Sequence, residues 1–197
     1  MNSLLKKIED TLFLAEDSVC LERAKLITEG YRRFADRPIP IKRALAFEHV
    51  LRNMSLDLDS NPVFAGNTSY APRAWMLVPE FGVGVDNQVA LENDGMATFL
   101  DGRIPEELDA FWKDLKFGRT PGGHGGPGHA SLDFGVIVKD GLESLIDRIE
   151  ACSGGDSAQQ TYRKAMGIAL RAVIAWAGRY ADEAQARTET TDDPELA

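Results

Sequence analysis

Two of the three histidines in this chain, His124 and His129, fall inside GRTPGGHGGPGHASLDF, residues 118–134, among six glycines, two prolines and the carboxylate of Asp133. Residues of these types could do three kinds of chemistry. Glycine N–H groups can cradle a phosphate, imidazoles with a carboxylate can ligate a metal, and a histidine can exchange a proton with a substrate near neutral pH. Spacing tests the first. Gly123, Gly125 and Gly128 satisfy G-x-G-x-x-G, but a dinucleotide loop follows a strand, and FWKDLKF, residues 111–117, reads as helix. Pro127 also removes one N–H from any cradle. A nucleotide loop of the G-x-x-x-x-G-K-[ST] kind fails because His129 and Ala130 stand where the Lys and the hydroxyl belong. A small phosphate-binding enzyme is the weakest reading, and nucleotide titration would test it. His124, His129 and Asp133 are metal-ligand types, yet a glycine loop has no helical register to aim His124, and a solvated loop histidine is the simpler reading, so no metal is expected. No G-x-S-x-G nucleophile occurs, and neither Cys20 nor Cys152 has a histidine within a few residues to activate it.

The elements that must position these residues are mostly helices. Residues 2–16 read as a short amphipathic helix, residues 18–34 as a second with Val19, Ala24, Ile27, Tyr31 and Phe34 at helical spacing, and residues 38–54 as a third. Pro38 and Pro40 suit the first turn of that third helix. Short apolar runs at 62–67 and 74–81 are strand candidates. IPEELDAFWKDLKF, residues 104–117, is helical again, with Pro105 at its start and Glu106 and Glu107 in the first turn. After the glycine run, a helix over 131–152 aligns Phe134, Val138, Leu142, Leu145 and Ile149. SGGD then breaks the chain, and Asp156 or Ser157 caps a last helix to about Arg187. That helix is apolar on several faces, so the isolated chain is expected to expose contiguous apolar surface around Val173, Ile174 and Trp176. The expected division is one incomplete domain over 1–187 and a polar, disordered end over 188–197. The fold class is mainly α (α+β), long packed helices with one or two short strands.

Composition bounds the function classes. A net charge of −9 speaks against nucleic acid, whose phosphates need clustered Lys and Arg. Two cysteines far apart make neither a disulfide framework nor a zinc site, so a reduced cytoplasm is expected. Lys6, Lys7, Glu9 and Asp10 interrupt the N-terminal apolar residues, which argues against a signal peptide. The most apolar run, 165–178, carries Arg171 and is too short to cross a bilayer, so no membrane is expected.

Four stretches, in order, resemble the N-terminal region of the glycyl radical enzymes, the pyruvate formate-lyase superfamily, in its glycerol- or choline-type dehydratase and lyase branch. ERAKLITEGYRRFADRPIPIKRALAFEHVLRNM, residues 22–54, is similar to the family's E-R-A-x-L-I-T-E-S-[YF] helix and the R-R-A-x-A-L-x-H-[IV]-L-E-N-[IM] helix after it. PVFAGNTSYAPRAWMLVPEF, residues 62–81, resembles E-L-I-V-G-N … P-R … P-E-[YF]. Gly128-His129-Ala-Ser-Leu-Asp133-Phe134 resembles G-H-x-x-x-D-[YF], followed by Gly141-Leu142. ALRAVIAWAGRYADEA, residues 169–184, is like the long helix ending in R-[YF]-A. The resemblance covers most of residues 20–185.

The resemblance implies a role for the glycine run as a wall of an active site in an α/β barrel, of which this chain would be the N-terminal helical part. His129 becomes the candidate substrate-binding residue, hydrogen-bonding a hydroxyl of a small polar substrate; the competing reading is a helix-start histidine bonding a backbone carbonyl. Asp133 and Arg73 become candidates for supporting that contact from behind, Asp133 as a cap and Arg73 in a buried ion pair with Glu80. His49 is read as structural. The family's G-C-x-E thiyl loop and R-V-x-G-Y radical loop do not occur in these residues: Cys20, followed by Leu21-Glu22, has Val19 and not glycine before it, and Cys152 is followed by Ser153-Gly154. No residue here is therefore expected to be the radical catalyst, and the chain is expected to be inactive alone. The parent enzyme would work anaerobically, with no bound metal and with a glycyl radical installed by a radical S-adenosylmethionine activase. Its expected partners are that activase, the substrate and a second copy in a homodimer. The alternative is a stand-alone helical interaction module derived from the family. Phe134 in place of the usual tyrosine, and a shortened stretch before Gly128, imply an altered substrate pocket.

Overall fold

A computed structural model describes residues 3–14, 18–58, 65–66, 74–76 and 133–190. In chain order they form α1 (Ser3–Phe13), β1 (Ser18–Cys20), α2 (Glu22–Arg33), α3 (Ile39–Asn53), β2 (Ala74–Met76), α4 (Phe134–Ala151) and α5 (Ser157–Thr190). The mainly helical class expected from periodicity is the one observed. The strand candidate at 62–67, the helix expected over 104–117 and the glycine run lie outside the described residues, apart from Ala65, Gly66, Asp133 and Phe134.

The helix expected from residue 18 begins four residues later. Ser18, Val19 and Cys20 instead pair in parallel with Ala74, Trp75 and Met76. A partner more than fifty residues away fixes the backbone here, and β-branched Val19 accepts an extended conformation readily. Cys20 is buried in this strand, not on a helical face.

Around α5, ~51 Å long at 1.5 Å per residue, the other helices are arranged: α3 packs along it, α2 lies on α3, and α4 folds back against its N-terminal half. Ile27 and Tyr31 of α2, Ala46, Val50 and Leu51 of α3, Met54 and Ala172 make the core, with Phe47, Val173 and Trp176 packed on it. Ile41, Ala44 and Ala165 form a second patch. The α2–α3 approach depends on Gly30: a Cβ there would lie 2.8 Å from the Cα of Ala46. No helix among the described residues is long and apolar enough to cross a membrane.

Both ends of the α4–α5 turn are specified locally. Asp156 Oδ1 accepts from Gln159 N at 2.8 Å while Gln159 Oε1 accepts from Asp156 N at 3.0 Å, a reciprocal capping box. An Arg171–Glu150 ion pair ties the two helices together. The helix continues to Thr190, past the expected end at Arg187.

Two expectations about exposure fail. Val173, Ile174 and Trp176 are all partly buried, Val173 and Trp176 by packing on the core cluster that residues of α2 and α3 form with Ala172; the exposed large apolar residues of α5 are Tyr162 and Met166. On α4 the face predicted from Phe134 to Ile149 does not hold together. Gly141 sits at φ 79° and ψ 165°, a left-handed-side conformation that costs glycine little, and it breaks the helical register. Ile146 beyond the break is buried, whereas Phe134 and Val138 before it are 64% and 87% exposed.

Candidate functional site

Of the residues singled out from sequence, Asp133 is described and its role is visible. Its Oδ1 accepts from Val136 N at 3.3 Å, so it caps α4, and its side chain is exposed. His129, Arg73 and Glu80 lie outside the described residues, as does His124. Arg73 directly precedes β2 in sequence. Among the described residues no group of three or more His, Cys, Asp or Glu is placed to hold a metal.

His49 braces two helices. Asn53 Nδ2 donates to the His49 carbonyl at 2.7 Å, which fixes the orientation of that amide, and the same nitrogen lies 3.2 Å from His49 Nδ1. Nδ1 is then the acceptor, so in the neutral ring Nε2 carries the proton and donates to Glu29 Oε2 of α2 at 3.2 Å. This arrangement positions helices and leaves no lone pair of the ring free for chemistry.

A group of long-range polar contacts lies where α3 ends. An α-helix leaves its last carbonyls without partners, and two long-range contacts satisfy them here. Arg179 of α5 donates through Nη1 to Leu51 O at 2.6 Å and through Nη2 to Met54 O at 2.8 Å. Next to it, the Tyr180 hydroxyl accepts from Asp57 N at 3.1 Å. Glu22 at the start of α2 accepts from Ser55 N at 3.0 Å and from Ser55 Oγ at 2.6 Å. Gly66 N donates to Asp57 O at 3.2 Å, and Gly66, at φ 102°, lies against Trp176: a Cβ there would sit 3.6 Å from the indole. Trp176 and Tyr180 stack edge to face with centroids 5.2 Å apart. Glu22, Gly66 and the Arg179–Tyr180 pair come from three of the four sequence stretches quoted above, so much of their motif character is spent on anchoring residues 51–57.

A protein-family model, pyruvate formate lyase-like, matches residues 1–197. The chain belongs to this family. Two similar proteins are dehydratases by name: a probable dehydratase, YbiW, of Escherichia coli is 26% identical over 91% of this chain, and (2S)-3-sulfopropanediol dehydratase of Klebsiella oxytoca is 24% identical over 89%. The chain spans 26% of the length of each. A solved structure from a study of 1,2-propanediol dehydration in Roseburia inulinivorans superimposes with a TM-score of 0.77 at 22% identity, covering 99% of this chain and 29% of that one. At that identity the likeness concerns the fold. For this pyruvate formate-lyase-like chain it concerns the helical layout. Sequence reasoning passed over Arg179 and Tyr180 as individuals, although the R-[YF]-A pattern contained them; the available signal was an arginine inside an apolar helical stretch.

Proposed function

We propose that this chain is the N-terminal helical part of a glycyl radical lyase or dehydratase acting on a small polar substrate by radical elimination or C–C cleavage, and that it is inactive by itself. The observation that carries the reading is a family match along all 197 residues that nevertheless spans only 26% of each dehydratase relative. The sequence supports it, since Cys20 has Val19 where the thiyl loop has glycine, and Cys152 is followed by Ser153-Gly154 with no glutamate.

In this reading His129 hydrogen-bonds a substrate hydroxyl and can give a proton to it as it leaves. Asp133 and Arg73 support that contact from behind, Asp133 through its cap on α4. The glycyl radical, the thiyl radical that removes hydrogen from substrate and the accompanying glutamate base belong to the rest of the fold. The radical is installed by a radical S-adenosylmethionine activase, and the whole enzyme is a cytoplasmic, anaerobic homodimer.

The test is anaerobic incubation of the purified 197-residue chain with such an activase, S-adenosylmethionine and propane-1,2-diol. The expected result is no glycyl-radical doublet in electron paramagnetic resonance and no loss of diol. A doublet, or turnover, would overturn the claim that this chain is inactive alone. Sequencing the gene past the codon for Ala197 then separates the two ways of being inactive: a frame running on into G-C-x-E and R-V-x-G-Y supports a radical enzyme, and a stop leaves the interaction-module alternative.

A further inference from the structure

Sequence and structure give α4 two different shapes. In the sequence, Phe134, Val138, Leu142, Leu145 and Ile149 recur at i, i+4, i+8, i+11 and i+15, the stripe of one uninterrupted helix. In the structure Gly141, inside that stripe, stands at φ 79° and ψ 165°, a region open in practice to glycine alone, and the helix is broken there. No crowding at this position calls for glycine. Among the described residues a Cβ at 141 would meet only Glu143 Oε2, at 3.7 Å. What excludes a side chain is the backbone angle. In this broken shape Phe134 and Val138 face solvent, while Leu145 and Ile149 line one hollow with Met166, Ala169 and Leu170 of α5.

A surface for the exposed half exists on α5. The two helices are joined by the five residues Cys152–Asp156, and Arg171 pairs with Glu150, so they run antiparallel. Leu145 and Leu170 line the same hollow. Seven and eleven residues are close to two and three whole turns of a helix. Counted back from Leu145 they reach Val138 and Phe134, and counted forward from Leu170 they reach Ala177 and Ala181. Both alanines are exposed. We propose that α4 has a second state, in which the break at Gly141 closes, the helix runs straight from Phe134 to Ala151, and Phe134 and Val138 lie on Ala177 and Ala181.

Opposing effects make the two states. Closure restores the helical hydrogen bonds across the break and takes a phenylalanine and a valine out of water, and alanines leave room for both side chains. Glycine opposes it, because it loses more backbone freedom in a helix than any other residue. Gly141 is then the hinge and residues 134–140 the strap, and the strap carries the Asp133 cap with it. A strap attached to α4 meets α5 of its own chain without the cost of bringing two molecules together, which favours this seat over a second copy.

Hydrogen exchange on the full 197-residue chain, read at peptide resolution, tests this by comparing the unmodified chain with Gly141→Ala. Alanine cannot hold the broken angle and favours helix, so amides of 134–140 are expected to exchange at least about tenfold more slowly in the variant. Adding Ala181→Asp, at an exposed position, sets a carboxylate under Phe134 and should cancel most of that protection while residues 165–172 stay protected. No added protection in Gly141→Ala overturns the proposal. Protection that survives Ala181→Asp overturns it too, since the helix then straightens without α5. Protection that rises with protein concentration assigns Phe134 and Val138 to a second copy, and also overturns it. Should either substitution loosen α5, or α4 beyond residue 141, cross-linking decides. With Cys152→Ser throughout, Val138→Cys paired with Ala177→Cys should form an intramolecular disulfide under diamide at least about tenfold faster than Lys139→Cys paired with Ala177→Cys, because Lys139 lies off the stripe. Equal rates overturn the proposal.

Discussion

Leu51 O and Met54 O stand at the end of α3, where no intrahelical donor can reach them, and a single side chain of α5 satisfies both. Because Arg179 is partly buried and its two bonds are charge-assisted, Arg179→Ala removes the donors and leaves two carbonyls poorly solvated. A loss of roughly 2–3 kcal/mol in folding stability is expected, read as a lower urea midpoint at unchanged slope. Arg179→Lys should recover only part of it, since an ammonium lacks the planar fork that reaches two acceptors at once. The R-[YF]-A pattern made this arginine visible in the sequence as part of a family motif. Its task was not visible, because the acceptors lie 128 and 125 positions away along the chain.

Helix packing turns on Gly30 and Ala46, where the backbones of α2 and α3 come closest. Two effects oppose each other for Gly30→Ala. Replacing a mid-helix glycine gains up to about 1 kcal/mol of helix propensity. The new Cβ, however, would lie 2.8 Å from Ala46 Cα, and main chain cannot swing aside as a flexible side chain would. Overpacking of this kind costs about 1–3 kcal/mol, so a net loss is expected in a denaturant titration. Gly178→Ala on α5 is the control. Nothing lies within 4 Å of its Cβ position, so only propensity changes and stability should rise by roughly 0.5–1 kcal/mol. The helical period located both glycines inside helices; which of them faces another backbone is a property of the packed pair.

Across the whole molecule, burial is concentrated where α2, α3 and the middle of α5 meet. Ala165, Ala172 and Tyr180 are buried, whereas every residue from 181 to 190 except Glu183 is exposed. The Phe134–Asp140 part of α4 is likewise set apart by the break at Gly141. Native-state hydrogen exchange should therefore be graded: slowest for residues 165–180, faster for 134–140 and 181–190. Uniform protection along α5 would contradict this distribution of contacts.

The sequence by itself determined the helical class, the positions of α3 and α5, the Asp133 and Asp156 caps, and the family, because each depends on neighbours within a few residues or on linear motifs. Only the tertiary structure decided the rest. Strand β1 exists through β2, the predicted face of α4 is split at Gly141, and Val173 and Trp176 pack on the core cluster. Glu22, Gly66, Arg179 and Tyr180 converge on residues 51–57 in the same way. Periodicity states which residues seek burial; what buries them depends on contacts between elements far apart in the chain, and those have no local signature.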